Sequence, residues 1–326
     1  MTRGRPGVIA FALALCACGG DGGLTKRAER APYVAADSMG VVPTESLIRL
    51  QARPQLVENS AAALSHTQPG VFFTINDSGN DPLLFALDTT GADRGVWRVH
   101  GASNVDWESA SVGPCSATAG TGDCVYIGDT GDNSASRTSL VIYRVREPAT
   151  LLPGQTGKVD AEALRYRYAD GPHDVEAMYV APNGDTYLVT KRLLQDARGR
   201  PRPALVFLLP ADAWGHADLY TATIVDSLPI APGSAPLRLI TDAALAPDGR
   251  VLAVRTYAQV FTFATDSATG RVRHDVTPSV CNIVATNIWP GEGITWFGHS
   301  DRLLLTSEGR KSPMQVVNCP MPKTSP

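Results

Sequence analysis

The sequence predicts an all-β protein, a β-propeller built from four-stranded blades, and three observations carry that expectation. Short apolar or β-branched runs, each about five residues long, alternate with Gly, Pro, Asn and Asp punctuation, and no long helical periodicity interrupts them. Five segments open on a small or acidic residue and run into an apolar strand: SAAAL from Ser60, ESASV from Glu108, EAMYV from Glu176, DAALA from Asp242 and EGITW from Glu292. Their starts are separated by 48, 68, 66 and 50 residues, so the unit is constant while the insertions differ. Finally, the last copy lacks a fourth strand and an orphan strand precedes the first copy. A closed ring needs that arrangement if the N-terminal strand completes the final blade.

In chain order, Ser46 to Leu50 is the orphan strand. Second strands follow the five openings at Phe72 to Ile75, Cys124 to Ile127, Thr186 to Val189, Val251 to Val254 and Leu303 to Leu305. The turns Asn183-Gly184 and Asp248-Gly249 have the residues that a tight hairpin demands. Third strands fit Leu83 to Leu87, Leu140 to Val145, Ala204 to Leu209, Val260 to Phe263 and Gln315 to Val317. Fourth strands fit Val96 to His100, Ala163 to Tyr168, Tyr220 to Val225 and Cys281 to Ala285. Five blades are counted directly, and a sixth requires one long insertion to hide a degenerate copy.

Ahead of the ring, Arg3 and Arg5 precede an apolar run, Val8 to Ala17, too short to span a bilayer permanently. It ends in Leu15-Cys16-Ala17-Cys18, which resembles the lipobox of bacterial lipoproteins. On that resemblance residues 1–17 are a signal peptide, Cys18 carries the lipid, residues 18–42 form a flexible tether and 43–326 a single propeller domain. As a random coil the tether reaches roughly 25 to 30 Å. Gly19 and Gly20 stand where an Asp would signal inner-membrane retention, so an exported, envelope-anchored protein of the outer membrane is expected.

Without residues 1–17 the chain loses two arginines and no acid, so 27 basic residues face 32 acidic ones and the net charge moves from −3 to −5. That balance, with no basic run, argues against a nucleic-acid partner. With no second long apolar segment, membrane contact is through the lipid only, and a monomer is expected. Four further cysteines in an exported chain read as disulfides. Cys115 and Cys124 flank a short loop between strands and are expected to pair, leaving Cys281 with Cys319 across the outer strands of the last two blades. Their spacing matches no zinc pattern.

In a propeller the first strands line a central channel, so Ser60, Glu108, Glu176, Asp242 and Glu292 are expected to ring one mouth. Four like charges repel unless a cation, protonation or a basic neighbour offsets them. Lys191 and Arg255, ending two second strands, are the expected neighbours; Glu308 ends another. Such carboxylates either cap backbone amides and lock the ring or hold a ligand at the mouth. Asp129, Asp132 and Asn133, with Asn76 and Asp77 in the adjacent blade, form oxygen-rich turns whose hard donors suit calcium, the one cofactor the sequence suggests. His173 stands beside the acidic ring as the general-base candidate. No G-x-S-x-G, P-loop or dinucleotide fingerprint is present, and core packing is the default role for the five tryptophans.

NDSGNDPLLFALDTTG (Asn76 to Gly91), NVDWESASVGP (Asn104 to Pro114), YIGDTGDN (Tyr126 to Asn133), IYRVREP (Ile142 to Pro148) and DVEAMYVAP (Asp174 to Pro182) together resemble a family of exported bacterial β-propellers of poorly defined function. LVTKR, AVRTY and GEGITW extend the resemblance to the second half. In outline the family is similar to secreted propeller phytases and propeller lactonases, which hold calcium near the channel. This chain carries no phytase-specific signature, and Ser109 follows Glu108 where the family has a carboxylate. Three functions follow as expectations. The first is a polar-ligand binder at the channel mouth. The second is a calcium-dependent phosphoesterase-like or lactonase-like hydrolase using Glu108, Asp129, Asp132 and Lys191. The third is a protein-binding scaffold.

Overall fold

The structure, a computed structural model, describes residues 44–49 and 55–322 except 119, 121, 192–202, 231–236, 287, 299 and 300. The expected signal peptide, Cys18 and the tether lie outside the described residues. After β1 (Thr44–Arg49), blade one comprises β2 (Ala63–Leu64), β3 (Val71–Ile75), β4 (Leu83–Asp88) and β5 (Asp93–His100). Blade two comprises β6 (Trp107–Pro114), β7 (Asp123–Asp129), β8 (Leu140–Arg146) and, after β9 (Thr156–Asp160), β10 (Glu162–Tyr168). Blade three is β11 (Val175–Val180), β12 (Thr186–Thr190), β13 (Ala204–Leu209) and β14 (Tyr220–Leu228). Blade four is β15 (Ile240–Leu245), β16 (Val251–Thr256), β17 (Gln259–Ala264) and β18 (Ser279–Asn282). Blade five is β19 (Ile294–Trp296), β20 (Arg302–Leu305) and β21 (Pro313–Asn318), with β1 as its outer strand.

The first strands touch in ring order, β2 on β6, β6 on β11, β11 on β15, β15 on β19 and β19 back on β2. Five apolar cores fill the five interfaces, which fixes the blade number among the described residues at five. Side chains alternate across a strand, so each blade feeds both neighbours. On β3, Phe73 and Ile75 pack toward blade two while Phe72 packs toward blade five. On β7, Val125 and Ile127 face blade one and Tyr126 faces blade three. Burial on both faces is why inner strands such as VFFTI read as continuous apolar runs.

Closure is as expected: β1 pairs antiparallel with β21, Leu47 opposite Gln315 and Ile48 opposite Met314. Gly184 and Gly249 adopt φ of 86° and 71° in their hairpins, the left-handed conformation those turns require. The polar segment TGKVD of β9 is a strand that the sequence pattern did not reveal, because its alternation is between half-buried and exposed positions. It adds in parallel to β5 at the rim of blade one. Immediately after it, β10 pairs antiparallel with β8 and in parallel with β14 of blade three. Blades two and three thereby merge into one eight-stranded sheet.

Both disulfides form as expected, Cys115 to Cys124 and Cys281 to Cys319. The second departs from the expectation in one respect. Cys281 lies on the outer strand of blade four, but Cys319 follows β21, the third strand of blade five, because β1 lies outside it. The same C-terminal segment reaches blade four through Thr262 Oγ1, which donates to the Pro320 carbonyl at 2.8 Å, and Ser279 Oγ, which donates to Met321 at 3.0 Å. The sequence separations are 38 and 9 residues. In the chain-entropy account, removing Cys281–Cys319 by double serine replacement is expected to cost about 4 kcal/mol, against about 2.5 for Cys115–Cys124. Urea unfolding of the two variants checks the order, which reverses if loop length does not govern the effect.

Candidate functional site

Three of the five first strands carry a bulge at the same place, and in the other two a backbone bond marks the equivalent position. On β6, Trp107 opposes Asp129 and Ser109 opposes Gly128, leaving Glu108 unpaired between them. On β11 the residue so displaced is Glu176, and on β15 it is Thr241. In blade one Ser60 N bonds Ile75 O, and in blade five Glu292 N bonds Thr306 O, which puts Ser60 and Glu292 in the same position. Bulges re-aim side chains, and the shared position sets Ser60, Glu108, Glu176, Thr241 and Glu292 around one channel mouth. Asp242, expected in that ring, is one residue further along its strand. Its counterparts are the small residues Ala61, Ser109, Ala177 and Gly293.

The difference decides what Asp242 does. Fully buried, its Oδ2 accepts from Ile294 N at 2.8 Å and Ala62 N at 3.3 Å, and its Oδ1 accepts from its own strand's Ala243 N at 2.8 Å. One carboxyl thus joins first strands of blades four, five and one. Burial pushes it well above the usual carboxylate range, although three amides and the Arg255 charge act against that. Arg255 is also fully buried rather than open to the mouth. Its Nη1 donates to Gly293 O at 2.5 Å and Thr306 O at 2.7 Å, tying blade four to blade five. A Cβ on Gly291 would stand 1.9 Å from Arg255 Nη2, so only glycine admits the guanidinium there. Burial lowers this side chain to about 10, against the pull of Glu292 and Asp242.

At the mouth itself, Ser60 Oγ donates to Glu108 Oε2 at 2.7 Å, and Lys191 Nζ, the expected basic neighbour, bonds Glu176 Oε1. Tyr257, which follows β16, donates its hydroxyl to Glu292 Oε1 at 3.2 Å. Asp77, Asp106 and Glu108 each bring a carboxylate oxygen to within 4.8 Å of the others. Gly131 makes that approach possible, since a Cβ there would lie 2.5 Å from Asp106 Oδ2 and 2.7 Å from Glu108 Cγ. Asp106 was missed in the sequence, although it sits beside Glu108 in the Asp106-Trp107-Glu108 motif.

The other expected site residues hold turns together. Asp129 Oδ1 accepts from Arg137 Nη2 at 2.7 Å and from Asp106 N at 3.2 Å. Asp132 accepts from the amides of Ser136 and Arg137, within its own loop as Asn133 is. Asn76 takes the amides of Val57 and Glu58 at 3.0 and 3.1 Å. Of the residues expected to hold calcium, Asp129, Asp132 and Asn76 therefore serve their own turns, while Asp77 is part of the carboxylate convergence. His173 Nε2 bonds Asp170 at 2.8 Å, and its ring packs on Tyr168 and Phe207, away from the ring carboxylates.

Charge crowding shows in the acids. Burial first, then Glu176 and Asp77, pushes Glu108 well above the usual range; burial and Glu292 do the same to Glu176 despite Lys191. Burial raises Glu292 to about 7, with Glu308 adding to it, and raises Asp106 to about 6, with Asp77 adding to it. Glu308 rises by burial and by Asp77. Burial opposes the Lys191 ammonium, yet Glu176 and Glu108 hold it above the ordinary lysine value. The folded state binds these carboxyl protons more tightly than the unfolded chain does. Glu292 therefore costs nothing below its unfolded value of 4.5 and progressively more as pH climbs to about 7. Stability is expected to fall by on the order of 3 kcal/mol, or about 5 °C in Tm, between pH 5 and 8. A flat or rising Tm in scanning fluorimetry across that range contradicts the crowding.

At the opposite end the channel opens into a recess of about 230 Å³, lined by the far halves of the first strands, among them Ala63, Ser111, Val180 and Ala244. It holds none of the ring carboxylates.

No family model and no curated protein sequence matches the chain. Among solved structures it is similar to the major Malassezia sympodialis allergen Mala s 1, at 10% identity and TM-score 0.51, over 84% of this chain and 96% of that one. Myxococcus xanthus glutaminyl cyclase aligns at 14% identity and TM-score 0.46, over 86% and 97% of the two chains. The Myceliophteria thermophila Cps50 β-propeller domain aligns at 11% and 0.40, over 80% and 83%. The likeness to Mala s 1 concerns the fold alone. The two disulfides fit an oxidising, exported compartment.

Proposed function

We propose that this protein is an envelope propeller, tethered through a lipid on Cys18, that binds a polar ligand at the acidic mouth of its channel. The observation that carries this reading is the ring: all five blades bring a residue to equivalent positions, at a bulge in three of them, and three of the five are carboxyls. Asp242 and Arg255 already tie blades four, five and one, so Glu292 is not needed to join them. Isothermal titration of a panel of cations, sugars, phosphates and lactones into the soluble domain tests it. Binding lost in Glu292→Gln supports the mouth as the site, and silence of the whole panel sinks it.

A second reading, a divalent-cation-dependent hydrolase, is favoured by the convergence of Asp77, Asp106 and Glu108. Three hard oxygen donors with a glycine cleared beside them fit calcium. Those residues would hold the ion, which would polarise a phosphoryl or carbonyl oxygen. In this reading Lys191, beside Glu176, would bind an anionic substrate group, and Glu108 would help to hold the ion. Titrating calcium into EDTA-stripped protein is expected to give heat and raise Tm. The hydrolase reading also needs phosphoesterase or lactonase turnover that Glu108→Gln abolishes; absence of both ends it.

A further inference from the structure

The acidic mouth has an apolar rim that the ring residues do not explain. Trp289 is 59% exposed and packs on Tyr257, the residue whose hydroxyl reaches Glu292, with ring centres 5.0 Å apart and planes inclined at 50°. Four of the six large apolar side chains exposed among the described residues, Val105, Leu237, Val284 and Trp289, sit on connections that open on this mouth. All four therefore lie at the end of the ring where the first strands begin.

The ring also contains a polar group awaiting a partner. Thr241 occupies the position equivalent to Glu108, Glu176 and Glu292, is 1% exposed, and its hydroxyl has no hydrogen-bond partner among the described residues. The mouth already accommodates one ammonium from within the chain, Lys191 on Glu176. Glu108, Glu292 and Glu308 have no basic side chain hydrogen-bonded to them among the described residues. Electron-rich indole and phenol faces attract cations, and the carboxyls beneath them complement the same charge.

We infer that the ligand of this mouth is an organic cation with a hydrocarbon body, an alkylammonium whose head enters the carboxyl ring and whose chain lies on the Tyr257–Trp289 pair. The inference rests on the mouth being the ligand site and names the chemical class it takes. A carboxyl of the ring that ionises gains a counter-charge from a bound ammonium, which neither a neutral sugar nor an anion supplies. Two sources carry this chemistry: a free alkylammonium, or a lysine side chain of an exported polypeptide.

Calorimetric titration of n-butylammonium, 1-butanol and butyrate into the soluble domain at matched ionic strength separates charge from hydrophobicity. Butylammonium is expected to bind at least tenfold more tightly than the other two, and Trp289→Ala to weaken it about tenfold with Tm unchanged, since the indole is largely exposed. The second arm compares an acetyl-Gly-Lys-Gly-amide peptide with its Nε-acetylated form. A peptide that binds more tightly than butylammonium, and only when unacetylated, assigns the source to a polypeptide; equal or weaker binding assigns it to the free amine. Equal affinities for butanol or butyrate, an unaffected Trp289→Ala, or no binding of either cation overturns the inference. If calcium or a sugar from the wider panel still binds and is lost in Glu292→Gln, the mouth remains the ligand site and only the cation class fails.

Discussion

A chain beginning at Gln55 is expected to lose cooperative folding, whereas one beginning at Pro43 melts as the intact domain does. The deletion removes β1, whose five paired positions cover the outer edge of β21. Blade five then keeps three strands, and a bare edge offers its N–H and C=O groups to any neighbouring chain. Because β1 ties the start of the chain to the last blade, the loss spreads beyond blade five, whose β19 contacts both β15 and β2. The net stability of a domain, about 5–15 kcal/mol, is small against the loss of a whole strand. Far-UV circular dichroism melts and size-exclusion chromatography read the outcome. A sharp transition within a few degrees of the reference, in a monomer, shows that closure does not depend on β1.

The second large effect is expected at Asp242. Replacement by Ala leaves the Ala62 and Ile294 amides buried without an acceptor, each at about 1–3 kcal/mol. It also removes the carboxyl nearest in register to the buried Arg255. A total of about 4 kcal/mol is expected in urea unfolding, against less than half that for Thr241→Val one residue earlier, whose hydroxyl has no partner to lose. Equal effects at the two positions refute the distinction between the ring and the buried carboxyl.

The fold was legible because the repeat is written in apolar runs buried on both faces, with turns whose glycines are required. The site was less so, for three physical reasons. In Thr241-Asp242 the acidic residue attracts the alignment, but a bulge is a matter of backbone pairing and leaves no mark on residue type, so the ring position fell one residue earlier. Tryptophan in a β-protein is a core residue by default. Trp107 at 0% and Trp296 at 3% exposure obey that default while Trp289 does not, and nothing in the local sequence separates them. Oxygen-rich turns look alike whether they hold an ion or their own backbone. Asp129 and Asp132 turned out to serve loop amides and Arg137, while Asp106, two residues before Glu108, joined the convergence.

The parallel pairings of β9 with β5 and of β10 with β14 divide the ring into unequal arcs. Blades one to three are stitched at the rim by adjacent strands of one short stretch, residues 156–168, and blades four and five are joined by Cys281–Cys319 and by Arg255. Among the described residues the seam between blades three and four has neither a shared strand pairing nor a disulfide, whereas the seam between blades five and one is closed by β1 and by Asp242. At the first, Tyr187 donates to the Thr269 carbonyl and His274 meets Asp226; at the second, Thr306 donates to Asn59. The first seam also separates Glu176 and Lys191 from Tyr257 and Glu292, so a ligand held at the mouth would add a tie across it.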